Sequence, residues 1–456
     1  MPSTASEYYS ANREQFLNGL KEFLRIPSVS TLPQNKPDVQ RAAEFLRNEM
    51  EAMGLHNARL IDAGGNPLVY SEWLGAPGKP TLLLYGHYDV QPSEPDDEWH
   101  SPPFEPTVRN ENIYARGAVD DKGQVYLQLK AVEGHLKTSG KLPINVKFLL
   151  EGEEETGGTA LEKYLREHGR ELGADAALVC DTEMFAPELP TICTGLRGMV
   201  YTELEVQGGR TDLHSGMYGG VAPNPLQAIA EIVTGLKGPD GKILIPGFYD
   251  DIEPPTGDEL EAWSKLPFDE QHYLDTEIGS TCLTGEAGFS ALERTWARPT
   301  LEVHGIRGGF VGEGAKTVIP GRASVKISMR LVPSMDPDKI FQLYKEHVER
   351  LTPKGIQVKI KLHSSAPASV VDTANKYIQA AVHALDDVFK EDTVYMRSGG
   401  SIPVVGQLRE YAGIPSVLMG FGLPDDNLHA PNEKFHLPNF YRGIETVGRY
   451  LEVLGE

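Results

Sequence analysis

The chain has 456 residues, 40% hydrophobic and 24% charged, and a formal net charge of −22. At roughly 100–200 residues per domain this is two or three domains with ample material for a core. The acid excess repels phosphate backbones and argues against nucleic acid. Three scattered cysteines (Cys180, Cys193 and Cys282) exclude a disulfide framework or a Cys-rich zinc site.

The Met1–Asn18 segment is polar, without an apolar signal core, and no run approaches the roughly 18 apolar residues of a membrane span. A soluble cytoplasmic protein is expected. Ala42, Phe45, Leu46, Met50 and Met53 share one helical face that Gly54 ends. Thr81–Tyr85 is short and apolar, the pattern of a strand covered on both faces. Val125, Leu129, Val132 and Leu136 repeat at helical spacing before Gly140; Ile144–Leu150 and Ala176–Cys180 are two more strands. Strands separated by helices predict a parallel α/β sheet.

The pattern changes near Gly198. Val200–Val206 alternates with a period of two, a Pro- and Gly-rich stretch follows, and Ser324–Arg330 and Ile356–Leu362 have the look of antiparallel strands. Helical stripes return at Ile378, Val382, Leu385 and Phe389 and at Ile444, Val447, Leu451 and Leu454, with a strand at Pro415–Met419 between them. The expected fold is α/β: a domain with a mostly parallel sheet flanked by helices, residues 1–197 and 367–456, interrupted by an α+β domain, residues 198–366.

Three predicted strands run into metal-ligand residues: His87 and Asp89, the acidic run Glu151–Glu155, and Asp181. Alone, a His-x-Asp is more often a surface pair, an acidic run a solvated loop, and Asp120-Asp121 a helix cap. Their joint placement at the carboxyl edge of one sheet, where α/β proteins bind ligands, points instead to a metal site. His and carboxylate ligands suit zinc, and carboxylate-rich sites also admit manganese. Asp120, at a helix start, could bridge two ions roughly 3.5–4 Å apart. Asp89 could hold the unligated nitrogen of His87. Of Glu154 and Glu155, one could bind metal and the other take a proton from water.

The segments Gly86–Pro92 (GHYDVQP), Arg116–Gly123 (RGAVDDKG), Leu150–Gly157 (LEGEEETG), Asp212–Gly216 (DLHSG), Gly314–Pro320 (GAKTVIP), Arg330–Pro333 (RLVP), Gly399–Pro403 (GGSIP) and His429–Lys434 (HAPNEK) follow one another along nearly the whole chain. In this order they resemble the dinuclear zinc peptidases that include carnosinase, cytosolic nonspecific dipeptidase, carboxypeptidase G, aminoacylase and succinyl-diaminopimelate desuccinylase, and most of all the dipeptidase branch. The resemblance implies hydrolysis of small peptides with two divalent ions, zinc or manganese. It implies Asp120 as the bridging ligand, His87 and Asp181 completing one position, and Glu155 and His429 the other. Glu154 would be the general base, Asp89 the partner of His87, and the Asp120–Asp121 peptide bond cis. The inserted domain would be a lid and dimerisation domain, and the protein a homodimer. Its His214 would stabilise the oxyanion in the partner subunit's site and its Arg330 would grip the substrate carboxylate. Thr317, Gly400 and Ser401 would line the substrate pocket.

The family often places Asn after the acid matched by Asp181; this chain has Thr182 and Glu183. Three glutamates stand in a row at 153–155, and the spacing to Gly157 favours Glu154 as base and Glu155 as ligand. Alternatives within hydrolases are an N-acyl-amino-acid amidohydrolase or a metallocarboxypeptidase. A non-catalytic metal-binding homologue would be expected to lack the base or a ligand, and none is missing. Gly309–Thr317 approaches a phosphate-binding loop, but Ala315 stands where that motif needs Lys.

Overall fold

A computed structural model describes residues 4–456, which form two compact units. The first runs up to Thr194 and includes Val371–Met396 and Ile402–Glu456; the second comprises Gly195–Val370 and Arg397–Ser401.

The first unit is built on a mixed sheet. Its strand order is His56–Ile61, Leu68–Trp73, Asn145–Glu151, Thr81–His87, Ala176–Val179, Ser416–Leu418 and Thr191–Leu196. The middle four are mutually parallel. The hairpin of the first two strands, unforeseen in the sequence, adds to Asn145–Glu151 antiparallel; on the other side Thr191–Leu196 pairs antiparallel with Ser416–Leu418 and is itself paired by Val394–Ser398. Parallel strands end at one edge, and here His87 stands opposite Glu151 while Tyr85 stands opposite Val179. That register delivers His87, the turn after Glu151 and Asp181 to the same rim.

Helix Lys36–Met53 buries Val39, Ala42, Ala43, Leu46, Met50 and Met53, with Phe45 half-buried beside them. Each fully buried aliphatic side chain contributes about 1.5–3 kcal/mol. The helix stops at Gly54, whose φ of 100° suits the left-handed cap. Helix Lys122–Ser139 packs on strand Thr81–His87 and on the C-terminal helix Leu437–Gly455. It is covered on every side from Lys122 to His135, not along a stripe. A small antiparallel sheet pairs Lys434–His436 with Asn112–Tyr114 and the latter with Thr107–Arg109. It lays the segment after His429 beside the segment that leads to Asp120.

The second unit is an antiparallel sheet of order Thr300–Gly308, Arg322–Leu331, Gly198–Gln207 and Gln357–Ala366. Helices Pro225–Leu236 and Pro337–Leu351 pack on one face. Inward residues of the strands (Val200, Leu204, Val325, Ile327) meet Ile229, Ile232, Ile340 and Tyr344 of the helices. The alternation at 200–206 thus reports a half-covered strand, as its period requires. Strand Thr300–Gly308 escaped sequence reading because it is an exposed edge whose register shifts between Val303 and Gly305. No helix among the described residues is long and apolar enough to cross a membrane.

Candidate metal centre

His87 ends a fully covered strand, and its ring is 1% exposed. Its Nδ1 lies 3.0 Å from the Asp89 carbonyl oxygen and 3.4 Å from Asp89 Oδ1. Its Nε2 faces the other way, 3.0 Å from Asp120 Oδ1 and 3.9 Å from Asp181 Oδ1. The second oxygen of Asp120 is 2.9 Å from His429 Nε2, which is 3.4 Å from Glu155 Oε2. Asp120 therefore stands between two imidazoles, one per carboxylate oxygen. Ligand atoms of His87, Asp120 and Asp181 all lie within 4.8 Å of one another, and so do those of Asp120, Glu155 and His429.

Each side chain is placed by its local structure. Asp120 precedes helix Lys122–Ser139, and its peptide bond to Asp121 is cis. Asp121 turns away from the imidazoles and accepts the His87 amide at 3.0 Å. Glu154 and Glu155 open a short 3-10 turn closed by Gly157. Asp89 holds that turn: its oxygens accept the Glu154 and Glu155 amides, each at 3.2 Å, and the Ser30 hydroxyl at 2.6 Å. One buried carboxylate thus supports His87 and both glutamates. Gln91 Nε2 donates to Glu155 Oε2 at 2.7 Å. Asp181 lies two residues past Val179. A Cβ on Gly420 would lie 1.8 Å from the Thr182 carbonyl oxygen, so the chain beyond strand Ser416–Leu418 can press against the Asp181 segment only through glycine. Thr182 is buried, with its hydroxyl unpaired.

The electrostatics describe a site short of positive charge. Burial, reinforced by Asp121 and Asp120, pushes the Asp181 carboxyl well above the usual range; burial and Asp120 do the same to Glu155. Burial lifts Glu154 to about 7, with Asp120 and Asp89 adding repulsion against the attraction of His87. Burial alone would lower the His87 imidazole, but Asp120, Asp89 and Asp181 hold it well above its ordinary value. Hydrogen bonds from His429 and His87 outweigh desolvation and draw Asp120 below the carboxylate range. Among the described residues no Lys or Arg pairs with Asp120, Glu154, Glu155 or Asp181. Two divalent cations would supply the missing charge, and a set of imidazole and carboxylate donors sharing one central carboxylate suits a zinc or manganese pair.

The structure thus gathers His87, Asp89, Asp120, Glu154, Glu155, Asp181 and His429 at one centre in the first unit. The other sequence candidates lie in the second unit, in two local groups. His214 lies in a short antiparallel pairing, Leu213–His214 with Val318–Ile319, and next to it the Thr317 carbonyl accepts the Ser215 amide at 3.1 Å. Arg330 Nη1 donates to Ser401 Oγ at 2.7 Å; the Ser401 hydroxyl donates to the Arg197 carbonyl, and the Gly400 carbonyl accepts the Arg197 amide at 3.0 Å. The segment Gly309–Thr317 is exposed and leads into strand Val318–Ile319, not into the helix a phosphate-binding loop requires. Sequence reading missed Ser30, Gln91, Glu433 and Gly420. Gln91 and Glu433 lie inside recognised segments, whereas nothing local marks Ser30 or Gly420.

The profile of Peptidase family M20/M25/M40 matches residues 83–453. A Cys-Gly metallodipeptidase of Candida albicans is 32% identical over 97% of this chain and 95% of its own length. The Beta-Ala-His dipeptidase of Homo sapiens is 30% identical over 97% of this chain and 91% of its own. The crystal structure of human carnosine dipeptidase 1 superposes with a TM-score of 0.89 at 28% identity, covering 99% of this chain and 98% of that one. A metallo-carboxypeptidase from Sulfolobus solfataricus superposes with a TM-score of 0.87 at 33% identity, covering 96% and 99%. With its paired metal triads and this match along the chain, the protein belongs to peptidase family M20/M25/M40.

Proposed function

We propose that the chain hydrolyses the peptide bond of dipeptides and other short peptides with two divalent metal ions, zinc or manganese. The observation that carries this reading is Asp120, set between His87 and His429 with one oxygen toward each, beside a glutamate left free. His87 and Asp181 would hold one ion, Glu155 and His429 the other, with Asp120 shared. When bound, the pair supplies Lewis-acid polarisation of the scissile carbonyl and a lowered pKa for water.

The chain's own groups do the rest. No hydrogen bond or ion pair among the described residues engages the Glu154 carboxylate, which leaves it free to take and return a proton. Glu154 removes the proton of the attacking water and delivers it to the leaving amine. Asp89 fixes the His87 ring and the turn carrying Glu154. Arg330, oriented by Ser401, binds the free carboxylate of the substrate, and Thr317 and Gly400 line its pocket. His214 stabilises the oxyanion in the partner subunit's centre, so the working form is a homodimer. The exposure of Met217 (73%), Val221 (81%) and Val311 (95%) in the second unit supports a surface of that kind. The three cysteines are all free, which supports a cytoplasmic location.

The Cys-Gly and Beta-Ala-His dipeptidases among the relatives support dipeptides as substrates. The likeness to a metallo-carboxypeptidase keeps longer peptides as the second reading. Turnover of dipeptides, N-acetyl amino acids and longer peptides, each with added zinc, manganese or cobalt, separates them. Dipeptides should give the highest kcat/KM; a higher value for longer peptides or acyl amino acids overturns the assignment, and no turnover with any metal overturns catalysis.

A further inference from the structure

Glu433 is completely buried, four residues beyond His429, and all of its acceptors point at the segment that ends in Asp120. Its Oε2 takes Arg116 Nη1 at 2.7 Å and the Gly117 amide at 2.9 Å. Its Oε1 takes the Val119 and Asp120 amides at 3.1 and 3.2 Å. Its backbone carbonyl takes the Ala115 amide at 3.1 Å. One residue therefore answers four backbone donors and a guanidinium from residues 115–120. A buried carboxylate would be costly without such partners, and with them it becomes a rigid clamp.

The other end of the clamp needs holding. The loop bearing His429 has three non-glycine residues in the left-handed region, Asn427 (φ 56°), His429 (φ 59°) and Asn432 (φ 64°). Such residues persist only where the surroundings over-determine them. The base of the loop is closed by the Lys434 amide on the Asp426 carbonyl at 3.0 Å and by Lys434 Nζ on Asp426 Oδ1 at 2.7 Å. Glu433 is the link from that base to Asp120. The His429 side chain itself is 55% exposed, so packing alone does not position it.

We infer that Glu433 is a positioning residue for the metal pair, locking the His429 loop to the Asp120 segment so that the position formed by Asp120, Glu155 and His429 is assembled before an ion arrives. The inference rests on the dinuclear reading above but concerns a residue that touches neither ion. Partners of this kind are worth about 10- to 100-fold in metal affinity.

The test is calorimetric titration of zinc into metal-free, full-length protein, alongside circular dichroism. In Glu433→Gln the amide NH2 would face backbone N–H groups that need an acceptor, and Arg116 loses its counter-charge. The ion at Asp120, Glu155 and His429 should bind about 10- to 100-fold more weakly, while the ion at His87 and Asp181, which shares only Asp120 with the clamped segment, should lose less. The double variant Arg116→Met with Glu433→Gln removes the lone buried charge. If Glu433 served only to neutralise Arg116, this variant would regain wild-type affinity; the clamp predicts that the deficit stays. Two ions at wild-type affinity in folded Glu433→Gln, recovery in the double variant, or failure of both variants to fold overturns the inference. Fewer than two ions in the wild type brings down the dinuclear reading itself, and the inference with it.

Discussion

The two metal positions share Asp120 but are built differently. The first takes His87 from the end of a parallel strand in the covered middle of the sheet, where neighbouring strands fix the backbone, and Asp181 from two residues beyond the adjacent strand. The second takes Glu155 from a short turn and His429 from an exposed loop with left-handed residues. The first is positioned by sheet geometry, the second by hydrogen bonds that individual side chains supply: Asp89 and Gln91 for Glu155, and by our inference Glu433 for His429. A bond network of that kind yields to single substitutions more readily than a sheet does, because each bond has no neighbour to replace it.

The most damaging change should be at the shared residue. Asp120→Ala is expected to lose both ions and all activity, checked by metal content after gel filtration; retention of one ion at wild-type affinity would show that the positions are independent. Glu154→Gln should keep both ions and lower kcat by about 10²–10⁴-fold, since it removes proton transfer only. Arg330→Met should raise KM by about 10- to 100-fold for dipeptides with a free carboxylate, the worth of a charge-assisted hydrogen bond. It should matter little for C-terminal amides, and an equal loss on both would assign Arg330 to something else. Asp89 supports residues of both positions, so Asp89→Asn should weaken both ions by about tenfold or more, whereas Glu433→Gln should weaken chiefly the ion at His429. The mildest test leaves the sequence intact. Graded chelation, followed by metal content and Tm, should remove the ions in two steps, the one at His429 first, with Tm falling as carboxylate repulsion returns.

Much of this was readable from residue order. The strands at Thr81, Ile144 and Ala176, the alternation at Val200, and the acids and histidine at strand ends are local patterns: period, apolar run length and ligand type need no tertiary knowledge. Strand Thr300–Gly308 was hidden because an exposed, bulged strand carries neither an apolar run nor a clean alternation.

The helix Lys122–Ser139 marks where the sequence stops. Its apolar stripe predicts one covered face, but polar residues off the stripe are buried as well, each with a distant partner. Lys122 Nζ donates to the Ile26 carbonyl at 2.6 Å, Gln128 to the Tyr85 carbonyl at 3.0 Å, and Lys130 to Glu49 at 2.7 Å, while Gln124 Oε1 accepts the Phe421 amide at 2.8 Å. The supports of the metal centre are of the same kind: Ser30 for Asp89, Gly420 for the Asp181 segment, Glu433 for Asp120. By itself the sequence determined which side chains could bind metal and on which kind of element each would sit, because those are properties of neighbours in the chain. Only the tertiary structure decided which buried polar groups satisfy one another and how rigidly each ligand is held, because that balance of desolvation against hydrogen bonding is settled between residues tens to hundreds of positions apart.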